Sequence, residues 1–346
     1  MLDRVLSRGS QTILDLPVRA LRVLAGPEKR NDRGDVLDLQ TQALLRMNEL
    51  MRFPAVWEQT PEAARASMNR NTRIVEPRPK DVARVESRFC HGPDGAIPIR
   101  VYHPRETEDQ LPVLVFYHGG GWVVGGLVSH DGVCRALARG ADAIVVSVDY
   151  RLAPEHEFPA AVEDAHAAFR WVQEHAEELG GDPARVGIGG DSAGGNLAAV
   201  TSLMLRDAGH ALPVFELLVY PGTDMTRSLE SHRLFAYGYF LDKPSKDYYV
   251  DSYLRAPSDE LDWRASPLFA RRFDGLPPAL VVTAGFDPLR DEGEAYAQKL
   301  RDAGVVVQEQ REGTLVHGFV NMAVLRHCAD AREQIARTLH AGLRGG

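Results

Sequence analysis

After Asp81 the sequence alternates short apolar segments with helical patterns, and this alternation constrains the fold more than any other feature. The segments are continuously apolar, which is typical of strands buried on both faces of a parallel sheet. Strands that alternate with helices favour such a sheet with helices on both sides. We therefore predict a mostly parallel α/β fold. The strand candidates are residues 82–90, 97–103, 113–117, 143–148, 186–188, 215–220, 279–283 and 305–310.

Helical patterns separate most of the later strand candidates. We predict helices at residues 133–139, 160–179, 196–207, 292–302 and 321–343. The first two strand candidates follow each other too closely for a crossover helix, so we expect an antiparallel hairpin at one edge of the sheet.

Two other regions differ from this pattern. Residues 1–80 have helical patterns, such as 37–51, and several prolines, without a strong strand candidate. Residues 227–255 lie between two strand candidates and are too long and too aromatic for a simple connector, which favours an inserted helical cap. The aromatic side chains of this insertion, with Trp122, are expected either to line a substrate pocket or to form the core of the cap.

The segment 190–194 has the sequence GDSAG and lies between a predicted strand and a predicted helix. A serine nucleophile must project from a tight strand-to-helix turn, where glycines two positions on either side avoid clashes with neighbouring backbone. The helix N-terminus also favours negative charge that develops near Ser192. The pattern alone occurs by chance in about one such chain in ten, so an accidental glycine-rich turn is the alternative. Its position favours Ser192 as a nucleophile.

The sequence HGGG at residues 118–121 directly follows the predicted strand 113–117. Acyl transfer creates an oxyanion, which needs preorganised N–H donors, and glycines let backbone amides approach it closely. A loop of this kind, with the amide of the residue after the nucleophile, here Ala193, forms the oxyanion hole of lipases and esterases. A flexible strand-end loop is the alternative, although this string arises by chance in only about one chain in a hundred. His118 precedes Ser192, so we expect it to orient the loop rather than act as the base.

The base should lie beyond the last strand, and the acid should follow the strand before it. Among the twelve histidines, His317 follows the last strand candidate and is flanked by glycines, whereas His327 and His340 fall within the final helical pattern. Asp287 and Asp291 both follow the strand candidate 279–283. Asp287 is nearer to the strand end and is favoured as the acid, while Asp291 is expected to begin or cap the next helix, or to pair with an arginine.

These motifs together resemble those of the bacterial hormone-sensitive lipase family of α/β-hydrolases. The resemblance rests on residues 118–122, 149–155, 190–195, 287–291 and 317–319, and it spans about residues 82–340. It implies a catalytic triad and an oxyanion hole made of backbone amides. The triad would be Ser192, Asp287 and His317, and the amides would belong to Gly120, Gly121 and Ala193.

The resemblance also implies the architecture. An α/β-hydrolase fold is expected, with a mostly parallel eight-stranded sheet, flanking helices and a helical cap. Residues 1–80 would form the N-terminal cap segment, and residues 81–346 the catalytic domain with a second cap segment at about 225–256. The sequence DYRLAPE at 149–155 would be architectural, with Arg151 and Glu155 binding neighbouring backbone or each other.

The implied function is that of a serine carboxylesterase that hydrolyses short- to medium-chain esters through an acyl-enzyme on Ser192. No metal or organic cofactor is expected, and the expected partner is a small-molecule ester. An amide or acetyl-group hydrolase and a lipid-surface lipase on the same triad stay open, because pocket shape decides between these reactions. A ligand-binding receptor on this scaffold is disfavoured, because such receptors typically lack the histidine that is present here as His317.

Composition narrows the setting. With 40 basic and 48 acidic residues, the net charge of −8 argues against nonspecific nucleic-acid binding. Three sparse cysteines favour a reduced, cytoplasmic location, and no apolar run predicts an integral membrane segment. Apolar residues among the arginines of the N-terminus predict an amphipathic helix, packed on the protein or, alternatively, on a membrane surface. Similar proteins are commonly homodimers, so a homodimer is also an expectation.

Overall fold

The computed structural model describes residues 16–76 and 79–345. Its centre is one sheet whose eight strands correspond to the eight predicted segments. In chain order the strands are β1 (Arg84–Gly92), β2 (Gly95–His103), β3 (Leu111–Tyr117), β4 (Ile144–Val148), β5 (Gly181–Asp191), β6 (Glu216–Val219), β7 (Ala279–Phe286) and β8 (Val307–Val316). The order across the sheet is β1-β2-β4-β3-β5-β6-β7-β8.

The pairing of the strands is mostly parallel. β1 and β2 form the predicted antiparallel hairpin at one edge, and β2 also pairs antiparallel with β4. All pairs from β4 to β8 are parallel. Because parallel strands end at the same edge of a sheet, the segments that follow β3, β5, β7 and β8 are brought together.

Helices cover both faces of the sheet, which explains why β3 is apolar at every position. Val113 and Val115 face one apolar cluster, and Leu114 and Phe116 face the other. The helices of the first face are α5 (Ala160–Glu174), α6 (Ala193–Asp207) and α9 (Arg290–Asp302), and those of the second are α4 (Asp131–Ala141) and α10 (Arg326–Gly342).

The remaining helices lie outside this alternation, in the two regions that the sequence separated from it. Before β1 there are α1 (Val18–Ala25), α2 (Leu39–Met51) and α3 (Pro61–Val75), and between β6 and β7 there are α7 (Glu230–Leu234) and α8 (Lys243–Tyr253). Asp38, Thr60 and Asp242 each accept a hydrogen bond from a first-turn amide and so cap α2, α3 and α8. No helix in residues 16–76 or 79–345 is long and apolar enough to cross a membrane.

Several predicted boundaries were wrong. β5 runs from Gly181 to Asp191 instead of covering only residues 186–188. The predicted helix 160–179 ends at Glu174 and is followed by a separate 3₁₀ turn at Glu177–Leu179. The predicted helix 321–343 begins only at Arg326, because Phe319–Asn321 forms its own 3₁₀ turn. β8 extends to Val316 instead of ending at residue 310, since after a register shift in β7 Phe286 pairs with Val316. His317 therefore directly follows a strand.

The predicted partners of Arg151 and Glu155 were also wrong in part. The two side chains do not pair with each other. Arg151 forms a bidentate ion pair with the buried Asp164, and Glu155 pairs with Arg65 of α3 at 2.6 Å. Arg151 also donates to one nearby carbonyl, at position 160. The segment is architectural, as expected, but its ion pairs reach two other elements, and the pair of Glu155 with Arg65 spans 90 residues of sequence.

Candidate active site

Four strand ends bring the predicted site residues to one edge of the sheet. Ser192 follows β5, Asp287 follows β7 and His317 follows β8, while the loop 118–121 follows β3, the neighbour of β5. The crevice at the carboxyl ends of parallel strands is where α/β folds bind ligands. The topology thus places the nucleophile candidate between the loop on one side and the acid and base candidates on the other.

Ser192 stands on a sharp turn between β5 and α6. Its backbone has a φ of 57° and a ψ of −118°, a conformation that costs free energy for a residue with a side chain. The turn needs glycine on both sides: a Cβ on Gly190 would lie 2.4 Å from the carbonyl carbon of Gly194, and one on Gly194 would lie 1.9 Å from the Tyr117 carbonyl oxygen. The close packing of backbone therefore explains the GDSAG spacing and projects Ser192 from the turn.

A continuous line of hydrogen bonds joins the three triad candidates. His317 Nε2 lies 2.9 Å from Ser192 Oγ, and His317 Nδ1 lies 2.8 Å from Asp287 Oδ2. The Asp287 side chain is fully buried, and its other oxygen accepts a hydrogen bond from the Leu289 amide at 2.8 Å. Because an ionised carboxylate only accepts, the proton of neutral His317 belongs on Nδ1, and Nε2 is left to accept from Ser192.

Asp291, the competing acid candidate, has partners other than His317. It belongs to the first turn of α9, accepts a hydrogen bond from the Ser231 amide at 2.8 Å and pairs with Arg290. These contacts match the alternative role that the sequence suggested for it. His327 and His340 lie within α10, as predicted.

The glycine loop after β3 presents free amides to the same crevice. Gly120 and Gly121 have φ values of 123° and 59°, which favour glycine. The amide of Gly119 is already engaged, because it donates to Asp191 Oδ1 at 2.9 Å. Within residues 16–76 and 79–345 we find no acceptor for the amides of Gly120, Gly121 and Ala193. They are therefore available to a substrate oxygen.

A buried pair formed by Asp191 and His130 holds the glycine loop through the Gly119 amide, and it was not predicted from the sequence. Asp191, the residue before Ser192, lies 3.2 Å from His130 Nε2. Burial alone would raise the pKa of Asp191, but His130 and the Gly119 amide bring it below its ordinary value. His118 is buried beside them and stacks on Tyr150, and burial with the nearby His130 lowers its pKa to about 3. A neutral His118 fits the predicted orienting role.

The site opens into a cavity of about 1500 Å³. Ser192, His317 and the glycine loop form one wall, and side chains of α2, α3 and α8 form the other. The aromatic residues of the insertion have divided roles: Tyr249 and Phe240 line the cavity, whereas Tyr253 is buried and stacks on Trp122. Both interpretations of these aromatics, pocket and core, therefore hold for different members.

A second polar network lies on the helical wall and was also missed from the sequence. Lys246 Nζ of α8 lies 2.7 Å from His232 Nδ1 of α7, and His232 Nε2 lies 2.7 Å from Glu292 Oε2 of α9. All three side chains line the cavity and are nearly inaccessible to solvent. No motif joins them, because they come from three separate helices. Among the residues described, no group of three or more histidine, cysteine or acidic side chains could hold a metal ion.

Comparison with known proteins gave a family match and many relatives. Residues 114–321 match a family model described as an alpha/beta hydrolase fold. The chain is 43% identical over 324 residues to the carboxylic ester hydrolase LipN of Mycobacterium tuberculosis, which covers 92% of this chain and 86% of that protein. It is 47% identical over 291 residues to the carboxylesterase NlhH of the same species, covering 81% of this chain and 90% of that protein.

The fold is also similar to that of a solved ester hydrolase. An ester hydrolase from the metagenome of Lake Arreo has a TM-score of 0.85 and 41% sequence identity, covering 88% of this chain and 98% of that one.

Proposed function

Because this chain belongs to the α/β-hydrolase family, among the bacterial carboxylesterases related to hormone-sensitive lipase, we propose that it uses Ser192, Asp287 and His317 as its catalytic triad. The chain is a carboxylic ester hydrolase. The observation that carries the assignment of the triad is the unbroken hydrogen-bonded line from Asp287 through His317 to Ser192.

Acylation begins when His317 Nε2 takes the proton of Ser192 and the Oγ atom attacks the ester carbonyl. The carbonyl oxygen becomes an oxyanion, which the amides of Gly120, Gly121 and Ala193 stabilise. Asp287 holds the imidazole in the required tautomer and stabilises the imidazolium. The imidazolium then gives its proton to the leaving alcohol as the ester bond breaks, which leaves an acyl group on Ser192.

Deacylation repeats these steps with water. His317 takes a proton from the water, the hydroxide equivalent attacks the acyl carbonyl, and the same three amides hold the oxyanion. Collapse of the tetrahedral intermediate returns the proton from His317 to Ser192 and releases the carboxylic acid. Each proton that leaves one oxygen returns to another, so this chain's own residues complete the cycle.

The proposal includes a cap made of residues 1–80 and about 225–256, of which residues 1–15, 77 and 78 lie outside the described part of the chain. It is supported by the cavity wall, to which α2, α3 and α8 contribute side chains. Tyr249 and Phe240 on this wall favour an apolar acyl group, and we expect esters with short to medium acyl chains as substrates.

A lipid-surface lipase on the same triad is the second candidate. Its support is a group of exposed apolar side chains at the cavity, since Val23 is 86% exposed and Met51 and Phe53 are each more than 40% exposed. A lipase of this kind would show a steep increase in rate above the critical micelle concentration of its substrate, whereas an esterase would saturate below it.

The cellular setting is part of the proposal. Cys90, Cys134 and Cys328 are buried free thiols, which is the state expected in a reducing cytoplasm. A homodimer and a small-molecule ester as the partner complete the expectation.

The test is hydrolysis of p-nitrophenyl esters from acetate to palmitate by the unmodified protein and by Ser192→Ala. We expect activity on short esters, reduced at least about 10³-fold in the variant because the nucleophile is gone. Ser258→Ala, which changes an exposed serine remote from the triad in sequence, is the matched control and should keep full activity. Equal activity of Ser192→Ala and the unmodified protein would overturn the assignment.

A further inference from the structure

The polar network on the helical wall contains an ammonium group without a direct counter-ion. Lys246 is only 6% exposed, and its Nζ donates to His232 Nδ1. Within the described parts of the chain, Nζ forms no ion pair with a carboxylate. A lysine is almost never buried unless it is paired, because an unsatisfied charge away from water is costly. This group therefore calls for an explanation.

The rest of the network does not satisfy the ammonium. Glu292 accepts hydrogen bonds from the amides of Thr223 and Asp224, at 2.6 and 3.2 Å, and from His232 Nε2. His232 therefore donates from Nε2 and accepts at Nδ1, so its Nδ1 accepts a hydrogen bond from one N–H group of Lys246. An ammonium has three N–H donors, and two remain.

Lys246 and its hydrogen-bond partner His232 border the substrate cavity. Lys246 lines the same cavity as Ser192 and His317. Burial lowers the pKa of Lys246, and the carboxylates of Glu292 and Asp287 act in the opposite direction, so the ammonium is within electrostatic range of the triad. Neighbouring residues of α8 such as Tyr249 and Val250 also line the cavity but are apolar or aromatic, so Lys246 is the cation that this stretch of the wall offers to a ligand.

We infer that Lys246 is a specificity-determining residue, which binds a free carboxylate on the substrate and so makes the enzyme prefer esters that carry one. A carboxylate accepts the two remaining N–H donors and supplies the missing negative charge, which gives strong, charge-assisted hydrogen bonds. The carboxylate belongs to the acyl part or to the alcohol part of the ester. This inference rests on the proposed ester hydrolysis at Ser192.

The pH dependence provides a measurement on the unmodified protein. Burial lowers the pKa of Lys246 to about 8, against the raising effects of nearby carboxylates. The Lys246 side chain is therefore protonated and charged below that pH and becomes a neutral amine above it. The preference for an anionic ester should fall as the pH rises through about 8. The titratable and charged groups around it are Asp224, Arg227, His232, Asp242, Asp247, Asp287, Glu292 and His317. A ratio of two esters cancels the effect of His317, because both need it.

The experiment compares matched esters. One pair differs in the acyl part: the p-nitrophenyl monoester of adipic acid and its terminal carboxamide. The other differs in the alcohol part: the acetyl ester of 4-hydroxybutanoic acid and the corresponding amide. We expect the ratio of kcat/KM for the acid over the amide to fall about tenfold or more in Lys246→Met for one pair, mainly through KM, because a hydrogen bond to a charged group is lost. The pair that responds identifies which part of the ester Lys246 binds.

Lys243→Met is the matched control. Lys243 lies one turn earlier on α8, is exposed and pairs with Asp247, so its loss should change neither ratio. Ratios that stay unchanged in Lys246→Met and across pH would overturn the inference while leaving the esterase assignment intact, because the neutral esters would still be hydrolysed. The absence of hydrolysis of every ester by the unmodified protein would instead overturn the proposed function. A merely structural role would reduce kcat/KM for both members of a pair alike.

Discussion

The two walls of the cavity hold their functional groups in different ways. On the sheet wall, Ser192, Asp287 and His317 each stand directly after a strand, so backbone pairing sets their positions to within a hydrogen-bond length. On the helical wall, Lys246 and His232 stand within short helices, and side-chain contacts that end at Glu292 hold them in place.

This difference separates chemistry from selectivity. Groups fixed by a sheet keep the geometry that acyl transfer requires, because each strand is hydrogen-bonded to its neighbours and packed in a dense core, and so cannot move independently of them. Groups fixed by side chains on connecting helices can be exchanged without disturbing the sheet, which suits a wall that selects substrates. Substitutions on the sheet wall should therefore act mainly on kcat, and those on the helical wall mainly on KM.

The largest effect that sharpens the comparison is expected for Asp287→Asn. The amide favours the wrong tautomer of His317, so kcat should fall about 10³- to 10⁴-fold. Asp291→Asn is the control, since Asp291 accepts a hydrogen bond from the Ser231 amide of α7 and pairs with Arg290 of α9, and neither contact involves His317. Steady-state kinetics of both variants would decide the matter, and a comparable loss in Asp291→Asn would refute our choice of the acid.

A smaller effect is expected where the two walls touch, at Gly121. A Cβ there would lie 2.2 Å from Tyr249 Cγ, and the φ of 59° disfavours any side chain. Gly121→Ala should lower kcat/KM about 10- to 100-fold, because the amides that hold the oxyanion are displaced. Gly121→Ala should reduce kcat/KM by a smaller factor when it is introduced into Tyr249→Ala than when it is introduced into the unmodified protein. If the two factors are equal, the loss in kcat/KM comes from the backbone conformation at position 121 and not from the contact with Tyr249 of α8.

The smallest effect is expected for Arg65→Met, which loosens the helical wall. Arg65 donates to the carbonyl oxygens of Val123 and Ala153, at 2.8 and 2.9 Å, besides pairing with the half-exposed Glu155. We expect a loss of about 1–2 kcal/mol in the free energy of unfolding, a Tm lower by a few degrees and a KM raised a few-fold with kcat unchanged. Arg70→Met, on the exposed side of the same helix, should change none of these quantities. A fall in kcat would break the comparison between the walls.

The sequence was sufficient for the sheet wall because its determinants are local. Backbone crowds both Gly190 and Gly194, so the turn requires a glycine two positions before and two positions after Ser192, and this spacing is visible in the sequence. The order of the strands indicates that the acid follows β7 and the base follows β8, where Asp287 and His317 lie. The acid could be chosen over Asp291 from its distance to the strand end alone. The roles of these residues stay predictions until the kinetics are measured.

The sequence was insufficient where contacts join distant segments. Arg151 and Glu155 are close in sequence, yet their partners are Asp164 and Arg65 in other elements, which no spacing rule indicates. The network of Lys246 likewise joins three helices that only the folded chain brings together. The end of β8 was predicted too early, because residues 311–314 are polar or glycine and interrupt the apolar pattern before Leu315 and Val316, while the bulged pairing with β7 carries the strand through them.

The left-handed backbone of Ser192 has a consequence for how such a protein changes over time. A residue held at a φ of 57° weakens the fold by an amount of the order of 1–3 kcal/mol, which the packing around it must offset. A residue without a side chain would relieve this cost and would also remove the nucleophile. Selection for stability and selection for catalysis therefore oppose each other at this one position.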